Sequence, residues 1–434
     1  MKKIGLYYFT NDLRVNDNSL LEQASQQVDE LICLFIFPEL SGYVIKYSSE
    51  SHLGTHQQQF ISQSCQDLNH QLSQRGQHLF VVRGDYYEVL NQCITENSIT
   101  HFFSSQSSGD SENSLISHLK NDFPHTTFTQ AYTTTLFDRN GLPFDLSSLP
   151  SSFSQFRKQV EHLPIQPPIT SLRSLPPAPV KLFIPNHALL PVHHDDSSYY
   201  QGGEQAGVHH LNQYFSHTFA SNYKKTRNKL DGFNDSTKFS LWLAQGCLSP
   251  RTVYQYLCQY ERHHGANDST YWIFFELLWR EYFYWKALQQ GKQLFHSSTS
   301  TIPPPSKASV QSFSKWKSGN TGYPIVDACM RQLNATGYMS NRGRQLVASC
   351  LIHELGIDWH YGAAYFESQL IDYDVASNWG NWAYIAGESS NISKYFDLAK
   401  QTEMYDPEHL FINKWLNCQD KLALDHGKQV HYNR

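Results

Sequence analysis

Lys3–Thr10 reads KIGLYYFT, and Leu31–Phe37 reads LICLFIF. Both runs are short, apolar and rich in β-formers, as strands are. His78–Gly84 (HLFVVRG) and Thr100–Ser105 (THFFSS) repeat the pattern, and Thr126–Tyr132 is a weaker fifth. Between them, His52–Arg75, Tyr86–Ser98 and Ser111–Asp122 carry apolar residues at helical spacing. Ser111 and Ser114, with nearby acids, are expected to cap the last of these. This alternation predicts an α/β unit with a parallel, doubly wound five-stranded sheet, covered on both faces. No G-x-G-x-x-G follows the first strand, so a nicotinamide dinucleotide site is not indicated.

From Ser147 the composition changes. LPIQPPITSLRSLPPAPV is neither helix nor central strand. An ordered connector wrapped over the surface is expected there. From Gly202 strand runs disappear. Glu204–Thr218, Phe239–Gln245, Pro250–Arg262, Tyr271–Gln289, Ile325–Thr336, Asn341–Leu355 and Gly362–Asp372 read as helices. In GCLSPRTVY, Gly246 ends one helix, Ser249 caps the next and Pro250 opens it. The expected division is 1–135, α/β; 136–200, connector; 201–434, all-helical.

A chain of 434 residues suits two domains. Its formal net charge is -5, so a nucleic-acid partner needs a local basic patch. Eight scattered cysteines form no C-x-x-C, which argues against zinc and a redox dithiol and fits a reduced, cytoplasmic setting. The N-terminus does not read as a signal peptide, and no run has the length of a membrane span. The aromatic load is heavy, with 9 Trp, 26 Tyr and 26 Phe. Such residues usually fill cores, and they also stack on flat ligands.

Four stretches could carry chemistry. Tyr271–Trp285 (YWIFFELLWREYFYW) is apolar almost all round yet holds Glu276, Arg280 and Glu281. Glu276 and Arg280 share a helix face, so an internal ion pair is the plain expectation; a pocket wall beside Trp279 and Phe283 is the sharper one. Met339–Cys350 (MSNRGRQLVASC) sets Asn341, Arg344 and Ala348 on one face and Arg342 and Gln345 on its neighbour. Two arginines at a helix start oppose the helix dipole, so a partner anion or carboxylate would account for them. Ile371–Trp382 (IDYDVASNWGNW) contains Asp372-x-Asp374. A metal site, a sugar-nucleotide site and a redox-cofactor site are open readings, and a buried pair with Arg344 suits Asp372 better than Mg²⁺ does. In DSTKFSLW, Ser236, Thr237 and Ser240 gather hydroxyls at a helix start, which can cap the helix or seat a phosphate.

These pieces, in this order, resemble the photolyase/cryptochrome flavoproteins, and most closely the DASH-type cryptochromes. FTNDLRVNDN, GGEQAGVHHLNQY, YKKTRN and STKFSLWLAQGCLSPR carry the resemblance. It continues through FELLWREYF, WKSGNTGYPIVDACMRQLNATGYMSNRGRQLVAS, DYDVASNWGNWAYIAG and KQTEMYDP. The resemblance implies an antenna-type α/β domain and a helical domain holding FAD, active when reduced. Tyr223, Ser236, Thr237, Lys238, Phe239 and Ser240 would seat the FAD phosphates. Arg344, Asp372, Tyr373, Asp374 and Asn378 would surround the flavin, with Trp382 and Trp359 conducting electrons to it. Blue-light cleavage of cyclobutane pyrimidine dimers is the implied activity, with Glu276, Trp279 and Asn378 catalytic. Single-stranded or looped DNA is the implied substrate, with duplex DNA held weakly. Arg227, Glu276, Trp279, Arg280, Phe283, Asn341, Arg342, Gln345, Tyr384 and Gln401 would contact DNA. No metal is implied. Glu112 would contact a 5,10-methenyltetrahydrofolate antenna.

The chain departs from the family pattern in places. Ser306 lies where a third electron-transfer tryptophan is usual, upstream of Trp316, which leaves Tyr282 or Tyr284 as substitutes. AGESSNISKYF lacks the usual arginine, and Thr10 stands where arginine is common. The alternatives are a light sensor that binds DNA or a partner without repair, and a nucleotide-sugar transferase built on the D-x-D.

Overall fold

The computed structural model describes residues 2–169, 172–185, 199–295, 306–388 and 393–417. Its sheet has five strands: β1 (Ile4–Phe9), β2 (Glu30–Ile36), β3 (Leu79–Val82), β4 (His101–Ser105) and β5 (Thr127–Ala131). All pairings are parallel, in the order β3-β2-β1-β4-β5. Every residue of β2 is buried, as expected of a central strand covered on both faces. Alternate residues feed two cores. Leu6, Tyr8, Ile32, Leu34 and Phe102 pack on Val89, Leu90, Ile116 and Leu119. Tyr7, Phe9, Leu31, Cys33, Phe35 and Phe103 belong to a second core that runs unbroken into the helical half.

The helix Asp110–Asp122 begins after Gly109 without a side-chain cap, so the expected Ser111/Ser114 cap does not form. The strand order reverses between β1 and β4, and the crevice beyond their carboxyl ends is where such sheets take ligands.

The loop leaving β1 is the clasp between the two halves. Asn11 Nδ2 donates to Ala244 O at 2.8 Å and Leu13 N to Gln245 O at 3.2 Å. Arg14 is fully buried and donates to the carbonyls of Gly246, Asp17 and Thr133. Glu204 accepts from Val15 N and Asn16 N, and Asp17 pairs with Arg251 at 3.1 Å.

The connector contains a helix that composition concealed. Phe153–Val160 is capped by Ser152 and buries Phe153, Phe156 and Val160, one stripe at helical spacing. Beyond it, Leu175 N bonds to Arg75 O, and Pro176 and Pro177 accept from Gln77 and Leu31. The connector thus runs over the α/β half in extended form.

After Gly202 the described residues are helical. The longest helix, Asp268–Gln290, opens on an Asn267/Thr270 capping box. The run expected as Asn341–Leu355 divides into a helix Asn341–Ser349 and a π turn Cys350–Glu354. No described helix is long and apolar enough to cross a membrane.

Candidate functional site

Six helices contribute to the wall of a cavity of about 280 Å³. Its lining includes Tyr223 and Ser236–Ser240, and also Arg344, Asp372, Asp374, Asn378 and Trp382. Leu243, Ala348, Phe366, Leu370 and Ile385 supply apolar walls. Lys238 holds a left-handed backbone (φ 55°), and its Nζ donates to Ser236 Oγ at 2.6 Å and Gly232 O at 3.1 Å. The Ser236–Ser240 stretch offers hydroxyls and one ammonium, suited to an anion. Behind it His210 bonds to Thr237 O and stacks on Trp242; burial pushes its imidazole pKa down to about 4, so it is neutral.

Two carboxylates with different partners also line the cavity. Arg344 Nη2 reaches both oxygens of Asp372 at 2.8 Å, and its Nε donates to Met339 O. The Asp372 side chain is only 2% exposed and that of Arg344 26%, so the carboxylate is desolvated and held by a bidentate guanidinium. Asp374 caps the helix Val375–Ala386 through Ser377 N and lies 3.8 Å from Arg280. Asn378 Nδ2 donates to Ala363 O at 2.9 Å, which fixes the amide and leaves its oxygen free to accept. Both acids thus have partners within the chain.

Not every expected contact forms. Glu276 pairs with Arg227 and accepts from Trp272 Nε1, not with Arg280. Burial raises the Glu276 carboxyl pKa, and Arg227 and Trp272 oppose that shift. Arg280 donates to the Thr134 and Leu243 carbonyls and lines the cavity. Tyr373 does not line the cavity; its hydroxyl bonds to Glu367. Asn341, Gln345, Glu276 and Arg227 do line it.

Trp279, Phe283, Tyr384 and Trp359 line a separate, adjoining hollow of about 550 Å³. Phe153 lies parallel to Trp279 at 3.8 Å, and Tyr384 meets Trp279 edge-on at 6.1 Å. Phe153 was not among the residues expected from the sequence; its only mark there is the apolar stripe of its short helix. Arg342 sits over Tyr405 at 4.6 Å and bonds to Gln401 and Asn228. At the sheet crevice, Glu112 is exposed with its carboxylate folded back over Gly109, near Glu367 and Tyr86.

Residues 5–177 match the family model described as DNA photolyase, and residues 272–431 match the one described as FAD binding domain of DNA photolyase. A cryptochrome DASH of Vibrio parahaemolyticus is 51% identical over 427 residues, covering 98% of this chain and 96% of the relative. The chain belongs to the photolyase/cryptochrome family, on its DASH cryptochrome branch. A Synechocystis cryptochrome structure superposes with a TM-score of 0.87 at 36% identity, covering 96% of this chain and 89% of that one. A class III photolyase of Agrobacterium tumefaciens shares the fold, with a TM-score of 0.81 at 24% identity, covering 96% and 87%. The cavity fits the FAD this family's domain binds. An anion seat, apolar walls and a polar end with paired carboxylate and amide oxygen match a dinucleotide with a flat, hydrogen-bonding ring.

Proposed function

We propose that the protein is a blue-light-driven photolyase for cyclobutane pyrimidine dimers, acting preferentially on single-stranded or looped DNA. One observation carries this reading: Glu276, Asn341 and Gln345 open into the same cavity as Arg344, Asp372 and Asn378. Groups able to read base edges thus share one hollow with the cofactor set. When bound and reduced, FAD supplies the light-driven electron that splits the dimer and takes it back.

The chain's own residues do the rest. Glu276 lines the cavity with its carboxylate paired to Arg227, and its oxygens can accept from a pyrimidine edge. Trp279 and Tyr384 wall the adjoining hollow and offer aromatic surface to an extruded base. Extrusion costs least from single strands, which favours that substrate. Arg227, Arg342 and Gln401 are the candidate backbone contacts. Glu112 and Glu367 in the sheet crevice would accept hydrogen bonds from the pterin ring of a 5,10-methenyltetrahydrofolate antenna.

The test is to illuminate the reduced protein with ultraviolet-damaged single- and double-stranded oligonucleotides and count restored pyrimidines. Restoration in single strands, lost in Glu276→Ala, is expected; unchanged repair in that variant defeats the assignment. A photoreceptor that binds DNA without efficient repair is the second reading. It is favoured by Phe153, which covers one face of Trp279.

A further inference from the structure

The hollow of about 550 Å³ extends from Trp279 and Tyr384 to Trp359, Gln293 and Leu294. It shares two helices with the cofactor cavity, Asp268–Gln290 and Val375–Ala386, but no lining residue. On the first helix Glu276 and Arg280 line the cavity, whereas Phe283 and Lys286, one turn on, line the hollow. On the second, Asn378 and Asn381 line the cavity, and Ala383 and Tyr384 line the hollow. The groups placed to read a dimer, Glu276, Asn341 and Gln345, therefore leave the hollow to another part of the strand.

Its lining suits a nucleotide. The volume lies within the range of about 300–1,000 Å³ found for sites that bury small ligands. Phe153, Phe283, Leu294 and Trp359 are buried and give it an apolar floor. Gln289 and Gln293 are exposed and bring amides able to read a base edge. Half-buried Lys286 adds an ammonium whose pKa burial lowers, so an anion beside it offsets lost solvation. Tyr384 is 40% exposed, and Lys394 Nζ lies 5.6 Å from the centre of its ring. A strand that crosses Tyr384 thus meets aromatic surface and positive charge together. The acid of the hollow, Glu388, accepts from Trp359 Nε1 at 3.2 Å.

We propose that this hollow is a subsite for the undamaged nucleotide next to the dimer, its base against Tyr384 and its phosphate facing Lys286 and Lys394. The subsite rests on the reading of the cofactor cavity as the place of the dimer. It also gives the single-strand preference a second cause. In a duplex the neighbouring nucleotide is itself paired and stacked, so filling the hollow demands a further extrusion.

Fluorescence anisotropy of the FAD-loaded protein in the dark, at one fixed salt concentration, tests it. The probes are single strands that carry one dimer and an adenine on each side, with either adenine replaced by an abasic residue. Loss of the base on one side is expected to weaken binding about tenfold, and on the other side to change little. Ala383→Phe, which puts a phenyl ring into the hollow, should bind the intact probe as weakly as the wild type binds the abasic one. The abasic replacement should then cost that variant nothing more. Preference for the dimer with indifference to both flanking bases overturns the subsite and leaves the repair reading standing. Equal binding of dimer-containing and intact strands defeats that reading, and the subsite with it. Adenosine monophosphate that quenches tryptophan emission without displacing the strand gives the hollow to a free nucleotide and also overturns the assignment.

Discussion

Asn11 and Gly246 meet backbone to backbone: a Cβ added at Gly246 would lie 1.8 Å from the Asn11 carbonyl oxygen. Gly246 also holds φ 67°, a conformation that side chains disfavour. The contact seats the β1 loop on the turn ahead of Pro250, beside the helix whose start faces the cofactor cavity.

Gly246→Ala is therefore expected to destabilise the protein. Left-handed strain of about 1–2 kcal/mol adds to overpacking of about 1–3 kcal/mol. Thermal unfolding should show a lower midpoint, with FAD released early. An unchanged midpoint would mean that the two halves part without cost.

Asp17→Ala attacks the same clasp electrostatically. Asp17 and Arg251 have side chains only 1% and 9% exposed, and Asp17 also takes Ser249 Oγ and Ile169 N. Removing the acid leaves a buried guanidinium unpaired, at about 3–5 kcal/mol. Denaturant unfolding measures this, and the double variant Asp17→Ala/Arg251→Met should recover part of it.

The clasp shows what the sequence concealed. FTNDLRVNDN and AQGCLSPR were legible as specific stretches, but their purpose was not, because each is half of a contact across more than two hundred residues. The strands and most of the long helices followed from local spacing, which is a property of neighbours in the chain; the strand order did not, because it is set by contacts between distant segments. The Arg344–Asp372 pair was legible because both residues were unexplained by their own helices. Tyr373 lies between two cavity residues in sequence, yet its side chain turns to Glu367. The helix Phe153–Val160 was hidden because proline-rich flanks dominated the composition of the segment.

Glu367 carries the pH prediction. Burial pushes its carboxyl pKa up to about 7, and it accepts from Trp379 Nε1 at 2.8 Å. The folded state thus keeps a proton that the unfolded chain releases near 4.5. This contribution to stability is full below the unfolded value and is lost as pH rises to about 7. Each tenfold difference in proton affinity between the folded and unfolded chain corresponds to about 1.4 kcal/mol. Glu367→Gln keeps an oxygen for Trp379 and cannot ionise, so its unfolding midpoint should vary less across that window. Parallel curves for the two proteins would place the ionised form in the fold.

Asp372→Ala tests the cofactor end. Arg344 would lose both of its 2.8 Å contacts to the carboxylate and swing or draw in water. FAD retained after gel filtration should fall severalfold, with helical content by circular dichroism preserved. Full retention would move the cofactor away from this pair.

Trp279→Ala decides between the repair and sensor readings. One face of the indole is taken by Phe153, and the hollow beside it is walled by Tyr384. If the remaining surface receives a base, its loss should weaken binding of dimer-containing single strands by about 1–3 kcal/mol. That is roughly 5- to 150-fold in Kd, measured by anisotropy at one fixed salt concentration, because backbone contacts shift with ionic strength. On the proposed backbone contacts of Arg227 and Arg342, undamaged strands should bind the variant as they bind the wild type. Equal weakening for damaged and undamaged DNA would make Trp279 a scaffold residue. No weakening at all would leave the indole as the partner of Phe153, and the hollow would then serve a sensor better than a repair enzyme.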